Sequence, residues 1–182
     1  MPEWIYEKQR IATELGLLIM EFNRLDSMLA SAISSVVSSS DINNSVELNN
    51  IFQASMSFSQ KVDLFVALVF SKSPNLSAGK EFLEELVKES SSLEQERNKY
   101  VHADYYPKEV DGGNVVTHKH RIRGRKGLKS TIEDININNL KELRQRIIGL
   151  CEKLALIDLV DDLDELVVIN QLCDITKHEK IT

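Results

Sequence analysis

The chain has 182 residues, 42% of them apolar, which suffices for one domain with its own core and falls short of two comfortable ones. Its formal charge is −6, so nothing global marks a nucleic-acid binder and any such role must rest on a local basic patch. Seven glycines and three prolines suit a helical chain better than a loop-rich one.

Met1 to Arg10 carries Glu3, Glu7, Lys8 and Arg10 and no apolar core of a secretory leader, so none is expected. No apolar run reaches the ~18 residues of a membrane span, and no membrane partner is expected. Cys151 and Cys173 lack CxxC spacing and read as reduced thiols, which points to the cytoplasm.

Residues 4–38 read as one long helix. Ile11, Leu15, Leu18, Phe22, Leu25, Leu29, Ala32 and Val36 alternate four- and three-residue steps and form one apolar stripe. Residues 42–56 are ambiguous, with a short helix expected around Val46 to Phe52. Ser57-x-x-Gln60 has the form of a capping box and opens a second long helix to about Phe70. After Pro74-Asn75, a third runs from about Leu76 to His102, with Leu83, Leu86, Ser90, Leu93, Arg97 and Tyr100 as its stripe.

The pattern then changes. Asp111-Gly112-Gly113-Asn114 between Glu109-Val110 and Val115-Val116 is a hairpin signal, and Gly124-Arg125-Lys126-Gly127 resembles a second turn. Two or three short strands are expected. Asn139-x-x-Glu142 has a capping signature ahead of a helix carrying Leu140, Leu143, Ile147, Leu150, Leu154 and Ile157. The phase slips near Asp158, which fits a kink or a separate helix over 159–173. The expected fold is mainly α, a single helical domain over 1–182. It is an up-and-down bundle with a basic β-hairpin or meander insert at 104–133 between the third and fourth long helices, and a C-terminal helix and tail at 159–182.

Arg97 stands where the stripe predicts Leu or Val. A guanidinium does not deprotonate at ordinary pH, so burial there demands a carboxylate or phosphate partner. The structural alternative is an ion pair with Glu94 or with Asp26. Asn98 and His102, four apart, share a helix face, so Asn98 can hydrogen-bond the imidazole or a ligand. His102 read alone is a helix-end histidine, favourable there as a cation.

Arg97-Asn98-Lys99-Tyr100-Val101-His102 resembles the R-x4-6-H motif of the HEPN superfamily, including the polar residue that often follows the arginine. Asn23-Arg24-Leu25-Asp26 on the first helix and Phe58-Ser59-Gln60-Lys61 on the second are similar in placement. The likeness covers about residues 10–104 well and 137–158 loosely. It implies a helical bundle that dimerises across the motif helices, and metal-independent endoribonuclease activity in toxin–antitoxin or antiphage defence. An antitoxin or defence-complex protein is then an expected partner. It equally admits a non-catalytic scaffold or RNA-binding member. In the catalytic version His102 is the general base or acid, Arg97 holds the scissile phosphate, and Asn98 orients His102 or the RNA.

From Val115 to Thr131 six Lys or Arg occur with no acid. On a strand over 116–123, Lys119, Arg121 and Arg123 share one face, and Arg125 and Lys126 add charge at the turn. This reads as an RNA-tracking edge beside the cleft, or equally as a charged edge strand that resists aggregation. Tyr105 could stack a base or lie partly in the core. His118-x-His120 supplies two imidazoles without a further ligand at suitable spacing, so neither a metal nor another cofactor is expected. The acidic run from Asp158 to Glu165 reads as a solvated helix face or as a contact for a basic protein.

Overall fold

The computed structural model describes residues 3–38, 42–72, 78–109, 115–123 and 129–157. Among these the elements run α1 (Glu3–Ser38), α2 (Ile42–Ser55), α3 (Phe58–Lys72), α4 (Ala78–Val101), β1 (Asp104–Glu109), β2 (Val115–Arg123), β3 (Lys129–Asp134) and α5 (Ile137–Ile157). The protein is mainly α, a helical bundle with a small antiparallel meander between α4 and α5. No helix among the described residues is long and apolar enough to cross a membrane.

The chain divides into two compact units. Unit 1 comprises Met1–Phe22 and Leu93–Ile147, and unit 2 comprises Asn23–Ser92 and Ile148–Thr182. In unit 1 the periodic positions Ile11, Leu18, Phe22, Leu93, Leu140, Leu143 and Ile147 are buried. Two ion pairs join its helices: Arg144 Nε lies 3.5 Å from Glu14 Oε2, and Arg146 Nη1 donates to Glu96 Oε1 at 2.7 Å. In unit 2 the core is Leu25, Leu29, Ala30, Ala32, Ile33, Phe58, Val62, Phe65, Val69, Phe82, Leu83, Leu86, Leu150, Cys151 and Leu154. Burial of each such Leu or Phe stabilises the fold by about 1.5–3 kcal/mol relative to exposure.

The Ser57 capping box forms as its spacing predicts. The Gln60 backbone N–H donates to Ser57 Oγ at 3.4 Å, and Ser57 N–H donates to Gln60 Oε1 at 2.8 Å. The α5 cap lies elsewhere than expected. Asn136, not Asn139, receives a backbone N–H on its side chain, from Asn138 at 2.8 Å, and α5 starts at Ile137. The run Asn136-Ile137-Asn138-Asn139 offers three good capping residues, and the path of the chain out of β3 selects the first. The region around Val46 to Phe52 extends into a full helix, α2, although its residues are at best half-buried and Val46 and Ile51 are exposed.

The strand order is β1-β2-β3, so β2 is the central strand and pairs along both sides. The expectation that the basic segment forms an edge strand is therefore corrected: β2 is flanked on both sides, and its backbone pairs with β1 and β3. Pro107 falls on β1, an edge strand, where a missing N–H is tolerated. The two expected turns with Arg125 and Lys126, the expected helix over 159–173 with Cys173, and the acidic run after Asp158 lie outside the described residues.

Candidate functional site

The end of α4 is held from several directions within unit 1. Its stripe runs through buried Leu93 to half-buried Arg97 and Tyr100. The Arg97 guanidinium lies over the ring of Phe22 on α1, 4.1 Å from the ring centroid, and its Nη1 donates to Asn98 Oδ1 at 2.8 Å. Phe22 itself is 2% exposed. A planar cation stacked on a buried aromatic face gains favourable electrostatics from the ring.

Neither carboxylate suggested as a structural partner is paired with Arg97 in the contacts described. Asp26 instead binds Lys61 of α3, Nζ to Oδ2 at 2.7 Å, within unit 2. Glu96, one residue before Arg97, takes Arg146. Asn98 accepts this bond on its amide oxygen, which leaves its NH2 group as the donor for any other contact. His102 is exposed in the turn that directly follows α4.

The helix terminus has its own cap. Tyr105 on β1 donates its hydroxyl to the Tyr100 carbonyl at 2.6 Å, satisfying one of the last-turn carbonyls that an α-helix leaves open. Tyr105 is thus committed, through its hydroxyl, to the helix end. The Tyr100 phenol is held above its ordinary value of 10.0, first by burial, then by Glu96 and Glu133. It stays a neutral hydroxyl wherever the protein is folded near neutrality.

Register extends the site to the sheet. Tyr105 pairs with Lys119, and Lys119 with Glu133. Paired residues share a face, as do residues two apart, so Tyr105, Lys119, Arg121 and Arg123 lie on one face of the meander. That is the face whose Tyr105 reaches the end of α4. His120 and Tyr106 lie on the other, their rings edge to face at 6.3 Å. Among the described residues no group of three or more His, Cys, Asp or Glu is arranged to hold a metal ion.

A cleft of about 220 Å³ also occurs in unit 1, lined by Tyr6, Gln9, Arg10, Thr13, Glu14, Ile137 and Lys141. None of Arg97, Asn98 and His102 lines it.

No family model matches the chain, and no curated protein or solved structure matches it.

Two residues that shape these sites were not singled out by sequence reasoning. Phe22 was placed in the core, where it is, but its second role as the plate beneath Arg97 has no local signature. Lys61 did carry a signal. It lies between buried Phe58 and Val62 on the apolar face of α3, the same anomaly that marks Arg97 on α4.

Proposed function

We propose that the protein is a metal-independent endoribonuclease of HEPN type, acting on RNA at the end of α4 as a cytoplasmic homodimer in toxin or antiphage defence. The observation that carries this reading is the half-exposed Arg97, held on Phe22 one and a half turns before the exposed His102. Metal-free cleavage of RNA has three requirements. A base removes the 2′-OH proton as the oxygen attacks phosphorus, an acid protonates the departing 5′-oxygen, and a cation stabilises the phosphorane between them. His102 serves as base or acid, with the complementary part taken by His102 of a second copy. Arg97 stabilises the phosphorane, and Asn98 holds Arg97. The products are a 2′,3′-cyclic phosphate and a 5′-hydroxyl. Lys119, Arg121 and Arg123, together with Arg125 and Lys126, carry the flanking phosphates. An antitoxin or defence-complex protein would restrain the site.

The test is a pair of substitutions. His102→Ala and Arg97→Ala should each abolish EDTA-resistant cleavage by a protein that remains folded and dimeric. Full activity in folded His102→Ala would remove the mechanism.

One observation favours a second reading, a non-catalytic scaffold or RNA-binding partner in a larger defence complex. Asn98, the group expected to orient the imidazole, gives its amide oxygen to Arg97. In that case His102→Ala is silent, whereas replacing Lys119, Arg121 and Arg123 weakens RNA binding and flattens its salt dependence. Binding indifferent to salt would exclude this version.

A further inference from the structure

We propose that the cleft between α1 and the first turn of α5 is a binding site for an acidic amino acid, a ligand with two carboxylates and one ammonium. The proposed RNA site does not enter it, since none of Arg97, Asn98 and His102 lines the cleft. Helical spacing builds the walls. Tyr6, Arg10 and Glu14 are four apart on α1 and share one face, and Ile137 and Lys141 are four apart at the start of α5. The same two helices are joined within unit 1, where Ile11 and Leu140 are buried and Glu14 Oε2 lies 3.5 Å from Arg144 Nε.

The charges select the ligand. The whole chain carries −6, yet this cleft is lined by two cations and one carboxylate. Arg10 and Lys141 are exposed, and among the described residues neither is closed in an ion pair. Glu14 faces Arg144 imperfectly: Glu14 Oε2 and Arg144 Nε are both buried, and neither has a hydrogen-bond partner among the described residues. Buried polar atoms seldom stay so, and a ligand ammonium offers the carboxylate the donor that this ion pair does not. The match is then one to one. Arg10 and Glu14 stand one turn apart, about 6 Å along the axis, so one face of α1 serves an α-carboxylate and its neighbouring ammonium. The second carboxylate falls to Lys141 on α5, and Tyr6 and Ile137 supply apolar surface for the methylenes between. At about 220 Å³ the cleft falls below the roughly 300 Å³ at which pockets for drug-sized ligands begin, which suits a molecule of amino-acid size better than a whole nucleotide.

The experiment titrates the full chain with L-glutamate and follows its backbone amide resonances. Saturable displacements should appear on the α1 and α5 segments that carry Arg10, Glu14 and Lys141. Glutarate keeps both carboxylates and lacks the ammonium, and L-glutamine lacks the second carboxylate. Each should bind about tenfold more weakly than L-glutamate, and L-glutamate should lose about as much on Arg10→Gln or Lys141→Gln. Both side chains are exposed, so these variants keep the fold, which an unchanged melting temperature checks. Glu14→Gln should lose the preference for L-glutamate over glutarate, and if that variant does not fold, the preference of the wild type reads the same contact. Glutarate or L-glutamine binding as tightly as L-glutamate, undiminished binding by folded Arg10→Gln or Lys141→Gln, or no saturable displacement on these two segments would overturn the inference. RNA cleavage, read at His102, is unaffected by any of these outcomes.

Discussion

Lys61 in unit 2 and Arg97 in unit 1 each stand where helical spacing predicts an apolar side chain, and the protein treats the two cations in different ways. Lys61 is 1% exposed and delivers its ammonium to Asp26 at 2.7 Å, with Asp26 itself 31% exposed. The charge is neutralised and sealed among Phe58, Val62 and Phe65. Arg97 remains half-buried, rests on an aromatic ring, and binds a neutral amide oxygen. An interrupted stripe therefore signals a cation that has been accommodated, and the two accommodations differ in kind: a carboxylate seals Lys61, whereas Arg97 is carried on an aromatic ring and an amide oxygen.

The largest effect should come from breaking the closed pair. Asp26→Asn strands a buried ammonium and should cost about 3 kcal/mol, read as a lower urea midpoint at unchanged slope. The double variant Lys61→Met with Asp26→Leu should recover most of that loss, because apolar groups of similar volume replace a buried pair at little net cost. A change below about 0.5 kcal/mol in Asp26→Asn would mean that Lys61 is less confined than its burial implies.

The matching substitution at Arg97 should be mild. Arg97→Met should change stability by less than about 1 kcal/mol, since a partly exposed stacked cation contributes little to folding, while RNA binding weakens and cleavage is lost. If Arg97→Met destabilised the fold as strongly as Asp26→Asn, the contrast would vanish and Arg97 would be structural.

The smallest effect concerns the neighbour of Arg97 on the same stripe. Burial, reinforced by Glu96 and Glu133, raises the Tyr100 phenol above 10.0 in the fold. Above that pH the unfolded chain releases a proton that the folded chain retains, so the unfolded state binds fewer protons and stability falls as pH rises. Below it this contribution is fully present. Tyr100→Phe should make thermal stability decline less steeply between pH 10 and 11 than in wild type. Parallel declines in the two proteins would show that this phenol does not govern the alkaline limit.

What was legible in the sequence was local. The stripes of α1, α4 and α5 follow from 3.6-residue periodicity, and the Ser57–Gln60 box from a reciprocal bond spanning three residues. The hairpin signals located the strands but not their order in space. Whether β2 is central or peripheral depends on pairing with β1 and β3, which one strand's composition does not encode. The Lys61–Asp26 pair joins positions 35 residues apart, and the Phe22–Arg97 stack joins different helices, so neither has a local sequence signature. At the α4 end, Arg97 was legible because it violates the stripe. Tyr105 was less so, since its role as a helix cap depends on where the chain turns after His102. Among the three asparagines at the start of α5, spacing alone did not distinguish Asn136 from Asn139.

The most direct test of the account is to incubate the purified protein with mixed RNA in excess EDTA and identify the fragment ends. Wild type should yield fragments ending in 2′,3′-cyclic phosphate, His102→Ala none, and matched 2′-deoxy substrate should resist. Intact RNA in the presence of the folded, dimeric wild type, or identical fragments from His102→Ala, would contradict the assignment of catalysis to the end of α4.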